Sequence, residues 1–169
     1  MANLRVQRRR GTRGDDGASL VEFALLSPVL VLLLLGMITG GVAIAQKNSM
    51  ENATREAVRY GAVYPVIAGS ETDFLEDVLD VAVEAATGEL KSTAPGRYVC
   101  ASYVNDDGDI FRVSVSSGAP SADTGTLCFT DGRSEERVQV LARRHGEIEL
   151  LVRTLRPTLE TQAVTRYER

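Results

Sequence analysis

The sequence predicts an α+β fold in which a long N-terminal transmembrane helix continues outward and a second, amphipathic helix precedes a mainly antiparallel β-sheet. Three observations lead to this prediction. Residues 23–45 carry no charge, apolar residues recur at helical spacing as far as residue 88, and from Arg97 onward apolar and polar residues alternate. Helices followed by a run of antiparallel strands are typical of α+β domains.

The uncharged run from Phe23 to Ala45 is long enough to cross a membrane. As a helix it measures about 34 Å, which spans a hydrocarbon core of about 30 Å with some tilt. A cleaved secretory signal peptide is the alternative, because it also joins a basic start to an apolar middle, and residues 42–45 offer a small-residue cleavage site. Its apolar region would be only about 7 to 15 residues long. We therefore favour a helix that remains in the lipid bilayer.

Charge is divided unevenly along the chain. The residues before the apolar run include five arginines, and the positive-inside rule places this end in the cytoplasm: Arg5, Arg8, Arg9, Arg10 and Arg13. Of the 19 basic and 23 acidic residues, 14 and 20 follow the run. The part after Ala45 is therefore expected to be exported, and its acidic balance argues against nucleic acid as a partner.

Helical spacing continues beyond the apolar run. Small residues form a stripe on one side of the helix as far as Tyr60, namely Ala45, Ser49, Ala53 and Ala57. Pro65, between Gly61 and Gly69, is expected to break the helix. A second amphipathic helix is expected from an N-cap at Ser70 until Gly88, with these apolar positions: Phe74, Val78, Val81, Ala82 and Ala85.

Alternating residues predict strands in the last third of the chain. One strand is expected around Phe111–Val115, a second around Ile148–Val152, and a last one around Thr161–Tyr167, beyond the interruption at Pro157. Turns between paired strands are expected at 106–108 and at 145–146.

The acidic turn at residues 105–109 has the alternating side-chain oxygens of a calcium loop. An EF-hand would require glycine next and glutamate at the twelfth position, but the chain has Ile110 and Ser116 there. We therefore interpret this segment as a plain hairpin and predict no metal site.

Cys100 and Cys128 are the only cysteines, and both fall in the part expected to be exported. Because that compartment is oxidising, a disulfide between them is the favoured interpretation. A redox pair would have Cys-x-x-Cys spacing, which is absent. A metal site would need more ligands than these two cysteines and His145 supply.

Glu22 stands at the start of an otherwise apolar segment, where a carboxylate at bilayer depth costs about 3 kcal/mol. If the chain were cut after Gly17, the new α-amine of Ala18 would stand four residues before Glu22 on the same face of a helix. The two charges could then pair within one chain or between neighbours. The alternative is that Glu22 extends to the interface of an uncut membrane anchor.

The residues around this glutamate carry a family resemblance. The run GASLVEF (residues 17–23) resembles the processing site of prepilins from the tight-adherence (Tad/Flp, type IVb) branch of type IV pili, a glycine followed by four residues and Glu-Phe or Glu-Tyr. The stretch RRRGTRGDDGASLVEFALLSPVLVLLLLGMITGG, with NATREAVRYGA soon after it, is similar to TadE-like minor pilins, or pseudopilins. The resemblance covers roughly residues 8–62.

The resemblance implies cleavage by a prepilin peptidase between Gly17 and Ala18, and a role for Glu22 and Phe23 in recognising the N-terminus of a neighbouring pilin. It also implies a cytoplasmic-membrane protein that works with other pilins and the inner-membrane machinery that assembles an adhesive pilus. The major pilin of this system is little more than the helix, so the longer chain fits a minor subunit better. The alternative is an uncleaved, signal-anchored binding module or adhesin with no role in a pilus.

Gly36 and Gly40 form a G-x-x-x-G motif that would let another helix approach closely, although glycine is common in membrane helices.

Catalytic motifs are missing, since the chain has one histidine, no Gly-x-Ser-x-Gly and no phosphate-binding loop, so we expect neither an enzyme nor a cofactor. The expected segments are a cleaved leader (1–17), an extended helix (18–60) and an exported domain (61–169).

Overall fold

The computed structural model of the protein describes residues 15–116, 118–146, 148–149 and 154–168. The order of elements confirms the predicted α+β fold: two helices come first and an antiparallel sheet follows. The chain divides into two compact units, Met1–Gly40 and Gly41–Arg169. The arginine-rich part of the leader lies outside the described residues.

Helix α1 runs from Asp15 to Val63 and helix α2 from Glu71 to Ala85. Helix α1 extends three residues beyond Tyr60 and ends just before Pro65, because a residue that precedes proline disfavours helical dihedral angles. Ser70 precedes α2 as expected, but its hydroxyl donates to the carbonyl of Ile67 at 2.8 Å and makes no capping bond.

In the part of the chain that the structure describes, seven strands follow the helices. The main sheet has the order β3-β2-β1-β4-β7 and is antiparallel throughout, and β5 pairs with β6 in a small separate hairpin. The strand bounds are Tyr98–Val104 (β1), Ile110–Val115 (β2), Ser121–Thr124 (β3), Arg137–His145 (β4), Ile148–Glu149 (β5), Thr154–Leu155 (β6) and Thr158–Arg166 (β7).

The strand predictions agree with the structure in type and differ in their limits. Strand β2 covers the predicted alternation at 111–115. Strand β7 begins at Thr158, directly after Pro157 and three residues earlier than expected. The strand expected around 148–152 is described only at its start, as β5, and residues 150–153 lie outside the described part. The turn expected at 145–146 between paired strands was wrong, because β4 pairs with β7 and β5 pairs with β6.

The turn between β1 and β2 is the plain hairpin that the sequence predicted. The Asn105 side-chain oxygen accepts a hydrogen bond from the Asp109 backbone N–H at 2.7 Å, and the Asn105 N–H donates to the Asp109 carbonyl at 3.1 Å. Gly108 has a φ of +86°, in the left-handed region that glycine tolerates best. The asparagine therefore closes the turn with its own side chain.

The core of the unit Gly41–Arg169 lies between the two helices and one face of the sheet, here called the helix face. Helix α2 contributes its apolar stripe, including Phe74 and Val78, and β1, β2 and β4 contribute alternate residues. From α1, the predicted small residues Ala53 and Ala57 are fully buried, and Met50 joins them. Because the residues on this side of α1 are small, the helix backbone packs close to the sheet. A Cβ added at Gly61 would lie 3.0 Å from a Val138 methyl group.

Candidate functional site

The residues of the expected processing site lie on the first turns of α1. Gly17 and Ala18 are exposed within the helix, which begins at Asp15. Among the described residues, and apart from its chain neighbours and the helix's own backbone, no atom lies within 4 Å of the position that a Cβ on Gly17 would occupy. No side chain of the described residues therefore crowds Gly17 at the expected cut.

Glu22 follows one helical turn after Ala18. Four residues of helix bring two positions onto the same face, so an α-amine at Ala18 would stand beside the Glu22 carboxylate. Glu22 and Phe23 are both exposed. Within the described residues, no cationic group lies within 4.0 Å of the Glu22 carboxylate. The carboxylate is thus free to meet a charge from outside the described chain.

The side chains that follow Glu22 form an apolar surface. Large hydrophobic residues between Leu20 and Ile44 are 37% to 73% exposed, on all sides of the helix. The most apolar window of this helix has a mean hydropathy of 2.4, and none of it is buried within the protein. Burial of such surface in lipid is favourable by about 25 cal/mol per Å². This part of α1 fits the span of a single-pass membrane protein.

Gly36 and Gly40 lie one helical turn apart within this apolar surface. Apart from its chain neighbours and the helix's own backbone, a Cβ at either position would meet no described atom within 4 Å. Thr39, between them, donates its hydroxyl to the Leu35 carbonyl at 2.9 Å, so its polar group is satisfied within the helix. The two glycines therefore leave a shallow groove that a second helix could occupy.

The unit Gly41–Arg169 contains the predicted disulfide. Cys100 on β1 and Cys128 are bonded, with 5.8 Å between their Cα atoms. Cys100 points to the face of the sheet opposite α1 and α2, here called the outer face. The bond consequently attaches residues 125–136, here called the cap, to the outer face.

Beneath the cap lies a row of buried polar side chains. Ser102 and Gln139 are cross-strand partners and both are fully buried. The Ser102 hydroxyl donates to the Gln139 side-chain oxygen at 3.1 Å and accepts the Cys128 backbone N–H at 3.3 Å. The serine therefore links the sheet to the cap next to the disulfide.

An ion pair completes the contact between cap and sheet. Arg137 Nε on β4 lies 2.9 Å from Asp131 Oδ2 on the cap, and the two side chains are only 4% and 7% exposed. Burial works to raise the pKa of Asp131, but interactions with the Gln139 amide, the Arg133 backbone N–H and the Arg137 guanidinium outweigh it. The pKa of the carboxyl group is therefore lower than its ordinary value.

This buried polar row was missed by the sequence analysis. Arg137 and Gln139 alternate with Val138 and Val140, a pattern that ordinarily indicates solvent-facing polar positions. The overlooked signal was the cysteine pair, because a bridge from a strand residue to a distant segment places that segment over one face of the strand. Positions next to Cys100 on that face, such as Ser102, then become buried.

A comparison with known protein families matches the N-terminal part of the chain. Residues 17–59 match the model of the TadE-like protein family. No curated protein and no solved structure matched the chain. The matched range begins at Gly17, includes Glu22 and the apolar surface, and reaches into the buried side of α1.

Proposed function

The chain carries a TadE-like domain at residues 17–59, and from this premise we propose that it is a minor pilin or pseudopilin that supports assembly of a tight-adherence type IV pilus. A prepilin peptidase cleaves it between Gly17 and Ala18. Its partners are other pilins, the inner-membrane assembly machinery and the lipid bilayer. The proposed role is structural and not enzymatic.

The single observation that carries the proposal is the arrangement at the start of α1. The uncrowded Gly17 lies one turn before the Glu22 carboxylate, which has no cationic partner among the described residues, and an exposed apolar helix follows. A carboxylate that enters lipid unpaired costs about 3 kcal/mol. Cleavage after Gly17 creates an ammonium group that can offset this cost, in the same chain or in a neighbour.

The exported unit supports a minor role over that of the repeating subunit. Gly41–Arg169 folds around its own core and carries a disulfide and a capped sheet. A unit of this size would crowd a filament built from one repeated chain. A position at the tip, or a task in assembly, accommodates it more readily.

The test is N-terminal sequencing of the protein purified from membranes, with the prepilin peptidase present and with it deleted. We expect the mature chain to begin at Ala18 only when the peptidase is present. Gly17→Leu should block cleavage, because the peptidase requires a small residue at the cut bond. Gly41→Leu is the matched control, since Gly41 is another open helical glycine far from the cut.

Glu22→Ala separates cleavage from assembly. We expect the variant to be cleaved normally while its association with other pilins, measured by co-purification, falls. Glu51→Ala removes a carboxylate farther along the same helix and should leave association unchanged. An intact leader in both strains would instead support an uncleaved, signal-anchored binding module or adhesin.

A further inference from the structure

A cavity at one end of the outer face contains more positive charge than its surroundings. Its volume is about 450 Å³, within the range of small-ligand sites. Two arginines and the only histidine of the chain line it, together with two hydroxyl residues: Arg97, Arg143, His145, Ser116 and Thr158. The exported part as a whole has 20 acidic and 14 basic residues. This cluster is therefore positively charged within a part of the chain that is acidic overall.

Both guanidinium groups lack an acceptor within the part of the chain that the structure describes. Arg97 Nε is buried without a hydrogen-bond partner there. The Arg143 side chain is exposed, and its Cζ lies 5.3 Å from the centroid of the Tyr98 ring, a cation–π contact that does not use its N–H groups. Glu160 is the cross-strand partner of Arg143, yet its carboxylate is not within 4.0 Å of the guanidinium.

The histidine is held at the edge of the same cavity. Its backbone N–H donates to the Pro95 carbonyl at 2.8 Å, and its Nδ1 lies 3.3 Å from the Thr158 hydroxyl. Gly96 makes room for the ring, since a Cβ there would lie 2.1 Å from His145 Cδ2. The exposed imidazole therefore lines the rim of the cavity.

We propose that this cavity binds a phosphate group carried on a small organic molecule. Guanidinium groups only donate hydrogen bonds, and their planar forks match phosphate oxygens. The hydroxyl groups of Ser116 and Thr158 add donors beside them. An acceptor-rich anion would satisfy the buried Arg97 Nε, and the cavity has room for the carrier as well as the phosphate. The carrier is either a dissolved phosphate ester or a lipid headgroup.

The single histidine gives a site-specific test, because its Hε1–Cε1 NMR signal has no counterpart elsewhere in the chain. The full chain is purified in a non-ionic maltoside detergent and a phosphate-free buffer at fixed pH. sn-Glycerol 3-phosphate is added, with glycerol as the neutral control. For the lipid arm, nanodiscs of phosphatidylglycerol are compared with nanodiscs of phosphatidylcholine.

We expect the histidine signal to move saturably with the phosphate ester, with phosphatidylglycerol, or with both, and not with glycerol. Arg97→Gln and Arg143→Gln should each weaken binding about tenfold, as expected for a lost charged hydrogen bond. Arg133→Gln removes the same charge from an exposed site on the cap and should leave affinity within about twofold. Should a glutamine variant lose its native spectrum, Arg97→Lys and Arg143→Lys keep the charge but lose the fork, and should also bind more weakly.

Two results would overturn the proposal. One is a histidine signal that responds to neither phosphate source. The other is an equal loss of affinity in Arg133→Gln and Arg97→Gln, which would mean that overall charge, and not the cavity, governs the response.

Discussion

Two aspartates of the unit Gly41–Arg169 each pair with an arginine, and the two pairs differ in burial. Asp123 lies 2.6 Å from Arg112, but its side chain is 48% exposed. Asp131 and Arg137 are both more than nine-tenths buried. Water can replace a lost partner in the first pair and cannot reach the second.

Replacement of Asp131 by alanine should therefore destabilise the protein strongly. The change leaves the Arg137 guanidinium buried with no counter-charge, for which we expect a loss of about 3 kcal/mol. Chemical unfolding of the purified full chain measures it, followed by the fluorescence of its five tyrosines, since tryptophan is absent. Asp123→Ala is the matched control and should lose much less. Equal losses would contradict the role assigned to burial.

Acid should weaken the same contact. Because the folded state lowers the pKa of Asp131 below its ordinary value of 3.8, the carboxylate contributes stability above that value. The contribution is lost as the pH falls through the folded-state pKa. The difference in unfolding free energy between wild type and Asp131→Asn should shrink from about pH 5 to about pH 2. A difference that stays constant over this range would show that ionisation of Asp131 is unimportant.

At the scale of elements, the sequence predicted what depends on periodicity. The two helices and strand β2 follow from spacings of 3.6 and 2, and the hairpin at 105–109 follows from its turn residues. The capped outer face could not be predicted this way, because β1 is buried on both faces and its polar residue Ser102 is satisfied by a segment far along the chain. Contacts over such distances leave no local pattern.

The disulfide should contribute substantially to the stability of the protein. A 29-residue loop closed by the bond corresponds to about 3 to 4 kcal/mol in the entropy model. Replacement of both Cys100 and Cys128 by serine should reduce the unfolding free energy by about this amount. Unreduced peptide mass spectrometry of promptly alkylated, envelope-derived protein should recover the two cysteines joined. Two free thiols in that sample would contradict the assignment.

At the scale of the whole molecule, the candidate processing site could be predicted from the sequence, whereas the cavity at the end of the sheet could not. Gly17, Glu22 and the apolar run are neighbours along one helix, so their relation is visible in the sequence. Arg97, Arg143 and His145 come from a loop and one end of β4, and only the folded sheet brings them to one cavity. Local motifs predicted the first site, whereas the second depends on topology.

The proposed orientation places the leader in the cytoplasm and residues 46–169 outside, because the arginines precede the apolar run. Protease added to cells with permeabilised outer layers should digest the exported part. Its digestion should parallel that of a periplasmic control protein while a cytoplasmic control survives. Survival of the exported part under these conditions would reverse the orientation.

The continuity of α1 has a consequence for the way this chain tolerates mutation. Where the helix is exposed and apolar, leucine, valine and isoleucine can replace one another. Substitutions there keep the apolar composition without requiring a particular residue at each position. From Met50 to Ala62 size is constrained at single positions, because an added methyl group at Gly61 already meets Val78 and Val138 at 3.0 to 3.1 Å. Related chains should therefore exchange leucine, valine and isoleucine freely along the apolar run and conserve small residues at regular intervals in the second half of the helix.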